Sequence, residues 1–90
     1  MRLIMYIDEI SQDAFRTVGN IRHTQPVVIR RSAKWIPAIW VQSRQEERIL
    51  VLCSTQRGGV KTFALLDTAV NWLEKLGIED PAIEPKWPGA

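Results

Sequence analysis

The sequence predicts a small α+β domain, an antiparallel sheet of about four strands flanked by an N-terminal and a C-terminal helix in the order α-β-β-β-β-α. Three observations carry that expectation. Apolar residues recur every three or four positions near both ends of the chain, which is the helical period. Between residues 25 and 63 the period falls to two, and β-branched and aromatic residues take over. The connections inside that region are short and polar, as hairpins require. A chain of 90 residues has room for one core and therefore one domain.

Taken in order, Ile7, Ile10, Ala14, Val18 and Ile21 form one helical stripe, with Asp8, Gln12, Asp13 and Arg16 off it. Gly19-Asn20 offers a left-handed stop, which places a helix over residues 8–19. Residues 3–7 can also be read as a short strand entering that helix. Residues 27–29, 35–41, 49–55 and 60–63 read as strands, and Gly58-Gly59 can supply the positive φ of the tight turn before the last of them. Pro37 cannot donate a ladder hydrogen bond, so its strand is expected at a sheet edge or with a bulge. In the second and third strands both faces are apolar, and both need cover from two helices or from one helix and a partner subunit, a homodimer being a simple arrangement. Leu66, Ala69, Val70, Leu73 and Leu76 make the second helical stripe, with Asp67 in its first turn, Gly77 as its stop and Ile78 positioned to pack back onto the last turn. Trp72 lies off the centre of that stripe. Pro81, Pro85 and Pro88 forbid a regular helix beyond it, so the domain is expected to span residues 1–78, with residues 79–90 an extended tail that Ile83 or Trp87 can tie to the body.

Composition bounds the function classes. Hydrophobic residues make up 46% and charged residues 24%, a globular balance. The longest apolar runs, residues 3–7 and 49–53, fall far short of the roughly 20 residues of a spanning helix, so no membrane is expected. One cysteine excludes an internal disulfide framework and a cysteine-rich zinc site. Asp8 and Glu9 interrupt the first apolar run before a signal-peptide core develops, which makes a cytoplasmic location the expectation.

Catalytic chemistry is poorly provided for. His23 is the lone histidine, in a connector between Arg22 and Thr24, and no HxH, HxxxH or CxxC spacing offers a metal site. Cys53 lies among Leu50, Val51 and Leu52, where a thiol behaves as a small hydrophobe. Glu46-Glu47 falls in a hairpin loop and Glu79-Asp80 at a helix exit. Gln56 to Gly59 is glycine-rich, but it reads as a β-turn without the following helix of a phosphate loop. No enzyme activity, cofactor, metal or small-molecule substrate is expected.

Charge is the informative feature. The net charge of +2 conceals nine Lys or Arg residues against two acids between residues 16 and 61, while both ends of the chain are acidic. In a meander, alternate hairpins share an end of the sheet, which groups Arg30, Arg31, Lys34, Arg57 and Lys61 and leaves Arg44 and Arg48 at the other end. Five cations along one edge can track a phosphate backbone, and Trp35 or Trp40 can stack on a base or cover the core. Basic hairpin ends also keep sheets from pairing edge to edge. An acidic protein surface would meet the same cations, with Arg and Trp as anchors. Four tryptophans in so small a chain place one or two of them at an interface.

The segment from Arg57 to Ile78 adds a setting. Through Thr62-Phe63, Leu66-Asp67, Ala69, Leu73 and Gly77-Ile78 it resembles a hairpin-plus-helix segment of small accessory proteins of plasmids and integrative elements, some of them partition-associated. The resemblance covers about a quarter of the chain. It implies a mobile-element protein without catalysis, of the kind that binds DNA as a regulator. Such proteins also include those that bind and block a host protein or nucleoprotein complex, as anti-CRISPR proteins and antitoxins do.

Overall fold

The computed structural model describes residues 5–42 and 47–88. Seven elements follow one another: β1 (Met5–Ile10), α1 (Gln12–Gly19), β2 (Thr24–Arg31), β3 (Lys34–Gln42), β4 (Arg48–Cys53), α2 (Leu66–Lys75) and β5 (Ala82–Glu84). The fold is α+β as expected, with a mixed sheet of five strands in the order β1-β4-β3-β2-β5 in place of four antiparallel ones. The centre, β2-β3-β4, is antiparallel, and each edge strand is parallel to its neighbour, β1 to β4 and β5 to β2.

Three expectations about the order of the elements are corrected. The first helix begins at Gln12, not at residue 8, because residues 5–10 form the edge strand β1. Ile7 and Ile10 stand at helical spacing from Ala14 and Val18, and that coincidence hid the strand. It also misplaced the buried face: Ala14 is exposed, while Phe15, off the expected stripe, is fully buried. Residues 60–63 form no strand and make only isolated bridges, Ser54 to Val60 and Trp35 to Phe63. The tail contributes a strand instead, β5, paired with Val27, Val28 and Ile29.

Pro37 lies in the central strand, not at an edge, and no bulge is needed. Trp35 turns both its backbone groups toward the β4 side, donating to Phe63 O and accepting from Phe63 N at 2.7 and 2.8 Å. The alternation of an antiparallel strand turns Pro37 to the same side. The β4 ladder has already ended there at Ala38 and Leu52. The missing N–H therefore falls in the gap between that ladder and the Trp35–Phe63 bridge.

The apolar faces of the sheet make two cores. Both helices lie on one face, where Phe15, Ala69, Leu73, Leu76 and Ile78 pack on Val28, Ile39, Val51 and Cys53. The rings of Phe15 and Phe63 each lie 5.7 Å from Trp72, which widens this core as a half-buried residue. The other face buries Val27, Ile29, Ile36, Ala38, Trp40, Leu50 and Leu52, and Met5, Val60 and Trp87 pack against it. Neither helix lies on that face. The chain covers that face with its own turn and tail, and all four tryptophans are buried or half-buried within it.

The helix ends explain the packing. Ser11 caps α1 by accepting from Ala14 N at 3.2 Å. At the end of α2, Gly77 takes φ +79°, Gly77 N donates to Glu74 O at 2.9 Å and Ile78 N to Leu73 O at 3.0 Å, a Schellman stop. Gly19-Asn20 is no left-handed stop, since Asn20 has φ −100°. The Asn20 side-chain amide instead donates to Arg16 O and Leu76 O, at 2.8 and 3.3 Å, tying the two helix ends together.

Candidate functional site

Strand directions bring the basic loops together. β2 ends and β3 begins at the Ser32-Ala33 turn, β4 runs antiparallel to β3 and ends beside it, and the parallel edge strands β1 and β5 end there too. Arg30, Arg31, Lys34, Arg57 and Lys61 all belong to this end. Arg48 belongs to the opposite end, with its guanidinium 3.9 Å from the Trp40 ring centre. Arg44 and Glu46 lie outside the described residues.

Within the basic end the cations form two groups. Arg30 and Arg31 line a groove of about 550 Å³ together with Ser32, Pro85, Lys86 and Trp87. Arg57 and Lys61 line a second groove of about 760 Å³ with Ser11, Gln12, Asp13 and residues 54–56. Lys34 is exposed on the hairpin and lines neither.

Three of the five cations rest on aromatic rings. The Arg30 guanidinium carbon lies 5.9 Å from the Trp35 ring centre and that of Arg31 lies 4.8 Å from Trp87. Lys61 Nζ lies 5.2 Å from the Phe63 ring and 5.9 Å from Trp72. Among the described residues none of the five is ion-paired with a carboxylate. A cation over a ring is held by the quadrupole of the ring, and its N–H donors stay available at the periphery. Arg30 uses one of its five, donating from Nε to Ser32 O at 3.3 Å. Trp35 is half-buried against the helix-side core and carries the Arg30 guanidinium over its ring.

The residues considered for chemistry stand apart from this arrangement. His23 is exposed in the α1–β2 turn at φ +69°. Cys53 is buried, and burial pushes its thiol pKa up against the opposing pull of the Lys61 charge. The Gln56–Gly59 stretch is a closed turn, with Gly58 N donating to Thr55 O at 3.1 Å and Thr55 Oγ1 to Gly58 O at 2.8 Å. Among the described residues no three metal-ligating side chains come together, and no helix is long and apolar enough to cross a membrane.

Lys86 and Trp87 are the site residues that sequence reasoning left out of the basic group. The available signal was a tryptophan beside a lysine between Pro85 and Pro88, in a tail that otherwise reads as acidic. No family model, curated protein or solved structure matches the chain.

Proposed function

We propose that the protein is a non-enzymatic binding module of a mobile element that holds nucleic acid by its phosphates at the basic end of the sheet. The observation that carries this reading is the placement of Arg30, Arg31 and Lys61 over aromatic rings at one end of a single sheet. Ordering a long cationic side chain normally costs entropy when it meets its ligand. A ring beneath the cation meets part of that cost in the free protein and leaves the donors to phosphate oxygens. The exposed His23 and the buried Cys53 thiol suit a protein without a catalytic centre.

A salt titration tests the reading. Five phosphate contacts give a log–log slope of about −4.5 on duplex DNA, so raising salt from 50 to 200 mM weakens binding by about 500-fold. Replacing Arg30 and Arg31 by alanine weakens binding uniformly across sequences and makes the slope shallower. Undetectable binding to both duplex and single-stranded DNA at about 50 mM salt, where phosphate contacts are strongest, overturns it.

A specific observation favours a second reading, an inhibitor or antitoxin acting on a host protein complex. β1 is an open sheet edge on which Tyr6 and Ile7 are each 49% exposed, and such edges accept a strand from another chain. Ile7→Lys abolishes partner capture on this reading and leaves DNA affinity unchanged.

A further inference from the structure

We infer that the groove between the β2–β3 hairpin and the tail is a nucleotide subsite selective for single strands, a conclusion that rests on the nucleic-acid reading above. Its lining contains three cations, Arg30, Arg31 and Lys86, and no acid. It is an open groove with a volume of about 550 Å³, room for one nucleotide unit.

The groove is built before any ligand arrives. One wall is the hairpin, where the Nε bond to Ser32 O orients the Arg30 guanidinium. The other wall is the tail, fastened at three points. β5 pairs with Val27, Val28 and Ile29. Trp40 Nε1 donates to Glu84 Oε1 at 3.1 Å. Trp87 packs on the core of the second face. Lys86 is exposed between the last two of these anchors.

The Trp87 ring is engaged by the core and by the Arg31 guanidinium, whose carbon lies 4.8 Å from its centre, so the exposed planar group of the groove is the Arg31 guanidinium. Guanidinium planes are established platforms for unpaired bases. A base on Arg31 leaves its phosphate to Arg30 and Lys86. In a duplex the bases are stacked inside and only the phosphates reach the groove. The platform therefore adds affinity for a single strand alone.

Anisotropy of a labelled 12-residue oligothymidine and of a 12-base-pair duplex, both at about 50 mM salt, tests the assignment. The single strand is expected to bind at least tenfold more tightly than the duplex. Arg31→Lys keeps the charge and removes the plane, so it should weaken the single strand about tenfold, a larger loss than it causes on the duplex, with the salt slope unchanged. Trp87→Leu keeps an apolar tail anchor and should act in the same direction. Equal affinity for the two ligands, or an Arg31→Lys protein that binds oligothymidine as the unmodified protein does, overturns the subsite and leaves the phosphate reading standing. Binding to neither ligand overturns both.

Discussion

Gly19→Ala is expected to destabilise the protein, against the helix propensities of the two residues. Gly19 is the last residue of α1 and has no positive φ, so backbone strain gives alanine no penalty there. Propensity alone favours alanine by about 0.5–1 kcal/mol. Space decides otherwise. A Cβ at this position would overlap Ile78 Cδ1, lie 2.7 Å from Ile78 Cγ1 and stand 3.2 Å from Ile39 Cδ1. Ile78 is 1% exposed and Ile39 fully buried, and the Schellman stop fixes the backbone of Ile78, so neither side chain has room to withdraw. Forcing a methyl group into such a contact costs about 1–3 kcal/mol. The two ranges leave a net loss of about 0–2.5 kcal/mol, centred near 1, and for a domain of this size each kcal/mol lowers the melting temperature by about 4–8 °C. Thermal and urea unfolding followed by circular dichroism measure it. Ile78→Val removes the nearest methyl, so the double variant should be more stable than the two single losses added together. A Gly19→Ala protein as stable as the original, or more so, refutes the close-packing argument.

Three further outcomes are expected. His23→Gly relieves a side chain held at φ +69° and should raise stability by about 0.5–1 kcal/mol in urea unfolding, whereas Arg22→Gly next to it should lower it. Burial raises the Cys53 pKa, so the folded state holds the thiol proton more tightly than the unfolded chain. That stabilisation is complete below the unfolded thiol pKa of about 8.5 and is lost as pH rises through the higher folded value, so Cys53→Ala should flatten the decline in urea stability above pH 8.5. Ending the chain after Ile78 removes β5, the Glu84 acceptor and Trp87, and uncovers Val27, Ile29 and Trp40. Trp87 is half-buried, so its loss costs part of the roughly 3–5 kcal/mol of a buried tryptophan and the lost β5 pairing adds to it; the shortened protein should melt well below the full chain and bind a hydrophobic dye, and a cooperative melt like that of the full chain would refute the tail's structural role.

Legibility followed the range of the forces that set each element. α2 was readable because its stripe, first-turn Asp67 and Gly77 stop are local, and all three act in the structure. β2, β3 and β4 were readable because β-branched and aromatic runs between short polar loops leave few alternatives. β1 was obscured by the spacing of Ile7 and Ile10, which only its pairing with β4 resolves. β5 has three residues and little propensity of its own, so its strand exists through contact with Val27–Ile29, remote in sequence. For the site, alternation of hairpins was enough to put five cations at one end. Their division between two grooves was not readable, because one groove needs the tail and the other needs residues 11–13 at the start of α1.

Topology links the helix-free face to the basic groove. β1 and β2 are parallel and joined through α1; β4 and β5 are parallel and joined through α2. In the order β1-β4-β3-β2-β5 both connections step across the sheet in the same direction. Parallel strands are joined almost always by right-handed crossovers, and two crossovers of one hand that step the same way must place their helices on the same face. Both helices do lie on one face. The opposite face is then left to non-helical chain, although its strands are as apolar as those beneath the helices. The tail meets that need with Trp87, and because β5 runs parallel to β2 it delivers Trp87 and Lys86 to the end where Arg30 and Arg31 emerge. Closing the core and assembling the groove thus use the same segment, and a ligand that binds the groove stabilises the docked tail by an amount that grows with ligand concentration over its Kd.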